Sequence, residues 1–311
     1  MPAGAVMLMN GKLMENVTPG TTIVYPITIS ADPTQAPTVY DVRVLGFGND
    51  LAGNYIGINP SQDTGPYTAR PFITLDNTTV SLNPGESATI QATIQVPASG
   101  NGGRYALIRM TPSSATQVGQ GSVSISATAL VMITLDGTQI TETGSIDNVT
   151  MGTLVPEMPI SVTTIFTNTG NYHYYGANNQ IEVKDNAGNV IFAGTSTPMN
   201  TAIVPGGTVG FTQTISKGLS AGTYTLTSSV LSSDGTIFDT KTTSFSVSEA
   251  QTNPSVTAFI TQPGSSINSS AVPSSTIPGS SVTTSSPIDL SVIGAACISA
   301  VCIFGMRKKS K

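Results

Sequence analysis

Charge is scarce in this 311-residue chain: 9% of its residues are Asp, Glu, Lys or Arg, against about 25% in soluble globular domains. The formal net charge of -5 argues against a nucleic-acid partner, because such a partner requires a basic surface. Tryptophan is absent, histidine occurs once, and the two cysteines, Cys297 and Cys302, lie in one apolar run. The sequence has no His and Cys residues at the spacing of metal ligands, no phosphate-binding glycine loop and no motif of a catalytic nucleophile. The sequence therefore predicts a protein that is not an enzyme and uses no cofactor or metal.

The C-terminal segment has the composition of a membrane anchor. Residues 290–306 are seventeen uncharged residues, and Arg307, Lys308, Lys309 and Lys311 follow. Seventeen is about the lower limit for a membrane-spanning helix, and basic residues mark its cytoplasmic side. We expect a single transmembrane helix over 287–306 in the plasma membrane, a cytoplasmic tail over 307–311, and everything before them outside. The first ten residues lack the pattern of a signal peptide, so we expect a signal that was removed or lies upstream of Met1, with insertion as a tail-anchored chain as the alternative.

A Ser/Thr/Pro-rich segment, residues 249–286, precedes that helix. From Gln251 to Ser286 it carries no charge, and 17 of these 36 residues are Ser or Thr. Such a composition cannot bury enough apolar area to offset its ordering entropy. We predict a disordered, solvated stalk that lifts the preceding part off the membrane, with a plain linker as the alternative.

The pattern of residues 1–248 predicts β-strands separated by turns. Apolar and polar residues alternate in Thr22–Thr28 (TIVYPIT), Val39–Leu45 (VYDVRVL) and Ala88–Val96 (ATIQATIQV), which is the period of a half-buried strand. Pro-Gly precedes a predicted strand three times, at Pro19-Gly20, Pro84-Gly85 and Pro205-Gly206. Because proline fixes φ and glycine supplies a positive φ, the pair forms a turn that fixes where the next strand begins. The spacing of strands and turns predicts an all-β protein of two tandem immunoglobulin-like β-sandwich domains, 1–136 and 137–248.

Short motifs in both predicted domains resemble a known family. The first domain has Leu82-Asn83-Pro84-Gly85-Glu86 and Gly102-Gly103-Arg104-Tyr105, and the second has Thr167-Asn168-Thr169-Gly170-Asn171-Tyr172-His173. With the single membrane helix and basic tail, this order resembles the WxL-interacting surface proteins of Gram-positive bacteria and similar archaeal membrane-anchored surface proteins. The resemblance implies a first domain that binds cell-wall polymer or a partner surface protein, and a second that contacts matrix or host. The scarcity of charge and the glycosylation sequons depart from that family and also fit an archaeal envelope.

The densest aromatic cluster surrounds the only histidine. It comprises Tyr172, His173, Tyr174 and Tyr175, and such rings can stack on a sugar or a peptide. The structural alternative is a strand-end turn whose rings cover the edge of a sandwich. A catalytic role for His173 would require a nucleophile and an orienting acid within hydrogen-bond distance.

A second candidate is the stretch Gly46–Arg70, which we predict to be a long irregular loop. Long loops are often functional, and this one offers Tyr55, Tyr67 and Arg70 for contact with a partner. Its oxygen ligands also allow a calcium site, although their spacing matches no EF-hand; these residues are Asp50, Asn54 and Asp63. The alternative is a plain crossover loop.

Two further groups of surface residues are candidates. Four arginines can engage carboxylates or phosphates of an envelope polymer, or pair with local acids; they are Arg43, Arg70, Arg104 and Arg109. N-glycosylation sequons occur at Asn16, Asn77, Asn148 and Asn268.

The function that we expect is adhesion, or docking of a cell-envelope polymer or partner protein, by a membrane-anchored glycoprotein of the cell surface. Strand addition at an exposed edge is one mechanism by which it would act. The main alternative is a structural role, as a coat, lattice or spacer subunit of the cell envelope. A sugar-binding module that serves an enzyme is a third.

Overall fold

A computed structural model describes residues 6–114, 116–118, 121–123 and 125–248, which all belong to one compact unit. The predicted stalk, transmembrane helix and tail, and the sequon at Asn268, lie outside the described residues. Within the described ranges, no helix is long and apolar enough to cross a membrane. Strands predominate there, and a 3-10 helix is formed by Arg70–Phe72. The prediction of an all-β protein is confirmed for this part of the chain.

The N-terminal sandwich is built from residues 6–135. Its strands are β1 (Val6–Met9), β2 (Lys12–Val17), β3 (Thr22–Ala31), β4 (Thr38–Asn49), β5 (Tyr55–Ile58), β6 (Ile73–Leu75), β7 (Thr79–Leu82), β8 (Ser87–Gln95), β9 (Gly103–Pro112), β10 (Thr116–Val118), β11 (Gly121–Val123) and β12 (Ala127–Leu135).

Two sheets face each other in this sandwich. The first has the order β1-β3-β8-β6, and the second has the order β2-β12-β9-β4, with β5 and β7 both paired to the outer edge of β4. The ladders are antiparallel except that β2 runs parallel to β12. The inward residues of the alternating strands form a common core; Ile27 and Ile90 come from the first sheet, and Ile108 and Val131 from the second. Alternation therefore buries one face of each of these strands, as the sequence predicted.

The C-terminal sandwich follows after a short connection. Its strands are β13 (Gly144–Met151), β14 (Ile160–Asn168), β15 (Asn178–Asp185), β16 (Val190–Thr195), β17 (Thr208–Ile215), β18 (Gly222–Leu231) and β19 (Ile237–Val247). They form the sheets β13-β14-β17 and β16-β15-β18-β19. Because β12 ends at Leu135 and β13 begins at Gly144, the predicted division at residues 136 and 137 falls in the connection.

The three Pro-Gly pairs have the conformation that the sequence indicated. Gly20, Gly85 and Gly206 have φ angles of 80°, 74° and 77°. In each case a strand begins two residues after the glycine, at Thr22, Ser87 and Thr208. A glycine is required in these turns because other residues rarely adopt a positive φ.

The prediction that Gly46–Arg70 is irregular throughout is wrong. Gly46–Asn49 continues β4 and pairs with Tyr55–Ile58 as an antiparallel hairpin. The prediction failed because the sequence GFGN contains two glycines, which are unfavourable in strands. The structure shows a close approach of a side chain to each of them. A Cβ at Gly46 would lie 2.4 Å from Asp63 Cγ, and one at Gly48 would lie 2.9 Å from Ile58 Cδ1.

Candidate binding site between the two sandwiches

The two sandwiches share an apolar contact, which we call the junction cluster. Its buried members come from strands β4, β9 and β12 of the N-terminal sandwich and from the segment before β17 of the C-terminal one; they are Phe47, Tyr105, Leu107, Met132, Ala202 and Val204. Strand β9 explains how the sequence builds this contact. Ala106 and Ile108 fill the N-terminal core, whereas Tyr105 and Leu107 point to the opposite face and join the junction cluster. Strand β9 is apolar on both faces from Tyr105 to Ile108, because both faces are covered there.

His173 lies in this contact and is hydrogen-bonded to Tyr105. The Tyr105 hydroxyl is 3.0 Å from His173 Nδ1 and also accepts the His173 backbone N–H at 3.0 Å. The direction of the bond to Nδ1 follows the tautomer of the ring, since the hydroxyl can donate one hydrogen bond and accept two. Burial, together with the charge of Lys12, lowers the pKa of His173 to about 4. Burial also raises the pKa of Tyr105.

The aromatic residues around His173 are distributed between the interior and the boundary of the molecule. His173 and Tyr174 have only 3% and 6% of their surfaces exposed, and the Tyr174 ring stacks on Phe238 at 4.6 Å. Tyr172 and Tyr175 are half-buried. The expectation of one exposed stacking surface is therefore corrected for His173 and Tyr174. His173 is buried against Tyr105 of the N-terminal sandwich, and Tyr174 is buried in the core of the C-terminal sandwich.

Tyr175 and Tyr55 each connect the two sandwiches through their hydroxyl groups. Lys12 Nζ of β2 donates to the Tyr175 hydroxyl at 3.2 Å and lies 5.6 Å from the centre of that ring. The Tyr55 hydroxyl of β5 accepts the Ala202 backbone N–H at 2.9 Å. These contacts hold the junction cluster at its rim.

Asn49 is a polar residue of the contact that the sequence analysis missed. Its Nδ2 donates to the Ala202 carbonyl at 2.9 Å, and its Oδ1 accepts the Val204 backbone N–H at 3.0 Å. Asn49 is buried, so both groups are paired away from water. No local sequence signal distinguishes this asparagine from a turn residue, because its partners lie more than 150 positions away.

Asn49→Ala is expected to lower the free energy of unfolding by about 2 kcal/mol, because it leaves a buried N–H and a buried C=O without partners. Chemical denaturation of the full chain measures this loss. Asn54→Ala is the matched control, since Asn54 is exposed and its side chain bonds only to Asp50, at 3.0 Å. Equal losses for the two variants would show that the contacts of Asn49 add nothing to the junction.

A cleft of about 440 Å³ opens beside the junction cluster, between the two sandwiches. Phe47 and Tyr67 provide its aromatic wall, and Thr167, Thr169 and the backbone at Gly206 provide polar groups on the opposite side. Its ionisable carboxylate, Asp63, is neutralised by Arg70 Nε at 3.0 Å and accepts the Thr68 hydroxyl at 2.5 Å. An aromatic wall with neutral hydrogen-bonding groups suits an uncharged polar ligand, such as a sugar unit or a peptide without charge.

The predicted calcium ligands belong to two separate networks. Asp50 accepts the backbone N–H and the side-chain amide of Asn54 at 2.8 and 3.0 Å, which holds the pKa of Asp50 below its usual value. Asp63 is bound to Thr68 and Arg70 instead. In the described part of the chain, no three His, Cys, Asp or Glu residues converge on one point.

The four candidate arginines do not form one patch. Arg70 pairs with Asp63, and Arg104 is buried with its Nη1 donating to the carbonyls of Asn101 and Gly103 at 3.0 and 2.8 Å. Arg43 and Arg109 are directly opposite each other on β4 and β9. Arg43 is exposed and Arg109 is half-buried.

The three sequons of the described part lie on the surface. Asn16 on β2, Asn77 before β7 and Asn148 on β13 all have exposed side chains. A glycan at any of them would extend into solvent.

Comparison with known proteins gives distant structural matches. No family model matches the chain, and no curated protein matches it. A chain of a chaperone–tip adhesin complex of CFA/I fimbriae is 11% identical, with 78% of this chain and 98% of that chain covered and a TM-score of 0.36. The class 5 fimbrial chaperone CfaA gives 11% identity, the same coverages and a TM-score of 0.35. The Escherichia coli chaperone DraB gives 10%, the same coverages and 0.31. Similarity at this level carries no information on ligand or function.

Proposed function

We propose that this protein is a non-catalytic cell-surface protein that docks a cell-envelope polymer or a partner surface protein through the cleft between its sandwiches. In this proposal the sandwiches are immunoglobulin-like modules, residues 249–286 form the stalk, and residues 287–306 anchor the chain in the membrane. The composition of the C-terminal segments and the resemblance to WxL-interacting surface proteins support the anchor. The cleft, with its aromatic wall and its neutral polar groups, is the observation that carries the docking role.

The contact between the sandwiches supports a role in binding because it fixes both walls of the cleft. Asn49, Tyr55 and Tyr105 each form hydrogen bonds from the N-terminal to the C-terminal sandwich. A preformed site loses less conformational entropy when a ligand binds than a site that must first assemble. Adhesion of this kind requires no chemical step, and the cleft presents one carboxylate that is already paired with Arg70.

The test is capture of isolated envelope material by the full chain, purified in mild detergent and immobilised. Tyr67→Ala is expected to reduce saturable capture by about tenfold, because a stacking aromatic ring contributes about 1.5 kcal/mol. Tyr172→Ala, which changes a half-buried ring outside the cleft lining, is expected to leave capture unchanged. Thermal unfolding of each variant checks that it is folded.

Two results would contradict the proposal. Loss of capture with Tyr172→Ala but not with Tyr67→Ala would move the site to the aromatic cluster at the boundary. Concentration-dependent assembly of the chain, seen by light scattering in the absence of any capture, would favour the coat or lattice subunit instead.

A further inference from the structure

One edge of the N-terminal sandwich has a gap in its strand pairing. On the outer side of β4, residues 38–41 pair with β7 and residues 46–49 pair with β5. Both short strands run antiparallel to β4, and between them no strand of the described residues neighbours Val42–Leu45 on this side. The chain leaves the sheet after Ile58, contributes β6 to the opposite sheet, and returns at Thr79.

Backbone groups of β4 point into this gap. The Val42 N–H donates to the Thr78 carbonyl at 2.8 Å, so the amide groups of Val42 and, two residues on, of Val44 face the gap. The Val44 N–H therefore points away from β9, its ladder partner, and no backbone carbonyl of the described turns and loops accepts it. A strand edge of this kind is a template for pairing with another chain.

The gap opens into a slot between the two sheets whose lining is part apolar, with Val44, Ile73 and Leu75, and part polar, with Asn59, Thr74 and Thr78. A cavity of about 480 Å³ is bounded by β4 on one side, by β6 on the other and by Pro60 at one end. Val42 is buried in the core and Val44 packs against it, so the even-numbered residues of β4 face the interior here. An apolar side chain from an added strand would therefore enter the slot next to them.

Two arginines lie on the opposite, outward face of the same strands. Arg43 of β4 is directly opposite Arg109 of β9, and the Arg109 guanidinium extends across β4 to β5, where a Cβ at Gly57 would lie 3.1 Å from Nη2. Neither arginine forms an ion pair with a carboxylate of the described residues, although Asp41 lies on the same face of β4. Like charges directly opposite each other destabilise a sheet. Such a pair is unusual in a chain in which 9% of the residues are charged.

We propose that this gap binds an extended acidic peptide segment, which adds as a short strand between β5 and β7 and places a carboxylate beside Arg43 and Arg109. The segment runs antiparallel to β4, pairs with the Val44 backbone, and alternates acidic residues that face outward with apolar residues that enter the slot. Pairing supplies affinity and the alternating pockets supply specificity, while the arginine pair selects negative charge. This site is separate from the cleft and does not depend on the docking role proposed for it.

Fluorescence anisotropy of a labelled peptide that alternates valine with glutamate tests the proposal against the full chain. We expect saturable binding that weakens with salt, and at least tenfold weaker binding when the glutamates are replaced by glutamines. Arg43→Gln with Arg109→Gln is expected to reduce affinity for the acidic peptide by at least tenfold. This double variant should remain folded, because it removes a repulsion. Lys184→Gln with Lys217→Gln removes the same charge from the C-terminal sandwich and should leave binding unchanged.

Strand pairing is tested with two N-methylated forms of the same peptide. Methylation of the alternate N–H groups on the edge that faces β4 should abolish binding, whereas methylation of the other set should not. Hydrogen exchange should show new protection at the Val44 amide when the acidic peptide is present. Equal binding of both methylated forms, or equal binding of the glutamine peptide, would overturn the proposal. So would polygalacturonate that binds as tightly as the peptide and is lost in the arginine variant, because the site would then recognise anionic polysaccharide.

Discussion

Gly102→Ala is expected to lower the free energy of unfolding by about 3 kcal/mol, since it combines a positive φ for a non-glycine residue with overpacking. Gly102 has a φ of 74° and lies against the C-terminal sandwich. A Cβ there would be 2.1 Å from the Asn171 carbonyl oxygen and 2.6 Å from Asn171 Cγ. A backbone atom cannot rotate away as a side chain can, so the two sandwiches must move apart.

The contact that this change disturbs connects three segments. The Gly103 N–H donates to the Asn171 carbonyl at 2.8 Å. The Asn171 side chain in turn accepts the Thr141 N–H at 2.7 Å and donates to the Gln139 carbonyl at 2.8 Å. Asn171 thereby ties the N-terminal sandwich to the connection between the sandwiches.

Gly137→Ala is the matched control, because Gly137 has a φ of 68° but no atom within 4 Å of the added Cβ. Gly137→Ala should lower the free energy of unfolding by about 1 kcal/mol, which is the effect of a positive φ at a non-glycine residue alone. Urea unfolding of the full chain measures both variants, and small-angle scattering measures whether the sandwiches separate. Equal losses for the two glycines would show that the approach of Gly102 to Asn171 does not limit the packing of the sandwiches.

Much of the fold is predictable from the sequence because most strands bury one face. In β3 and β8, apolar residues occur at every second position, and Ile27, Ile29, Ile90 and Ile94 are all fully buried. The Pro-Gly pairs set the starts of three strands through local backbone geometry. The parallel pairing of β2 with β12 has no such signal, since it joins segments more than 110 residues apart.

The candidate site is less predictable because its residues serve a contact between distant segments. Tyr55 and Tyr67 were singled out for contact with a partner, whereas the Tyr55 hydroxyl contacts the C-terminal sandwich of the same chain. An aromatic side chain that covers a neighbouring sandwich and one that binds a ligand have the same local pattern. Asn49 and Asn171 carry no pattern at all, because a polar residue is recognised as buried only when its partners are known.

Acidification is expected to weaken the folded state through His173. The pKa of this histidine is about 4 in the folded protein and about 6.5 when it is unfolded. Below pH 6.5 the unfolded chain therefore takes up a proton that the folded chain does not bind. Stability falls as the pH is lowered from about 6.5 towards 4, where the folded protein binds the proton as well.

The physical reason is the environment that the junction provides for the ring. His173 is 3% exposed, its Nδ1 is hydrogen-bonded to the Tyr105 hydroxyl, and Tyr172 and Tyr175 lie against the ring with centroids at 4.3 and 5.5 Å. Lys12 is the nearby charge, and it too disfavours a second cation. No carboxylate of the described residues forms an ion pair with His173, so nothing there compensates an imidazolium.

Between pH 7.5 and pH 5 this linkage should remove about 2 kcal/mol from the free energy of unfolding. Other groups also titrate in this range, so the quantity to compare is the difference in the free energy of unfolding between the wild type and His173→Gln. Urea unfolding at each pH measures it. Glutamine does not titrate, and its side-chain amide can either donate to or accept from the Tyr105 hydroxyl in place of Nδ1. The free energy of unfolding of the wild type should therefore fall more steeply with decreasing pH than that of the variant. The difference in slope is at most the slope that the uptake of one proton produces. Parallel curves would mean that His173 takes up its proton while the two sandwiches stay packed, and that the junction tolerates the charge.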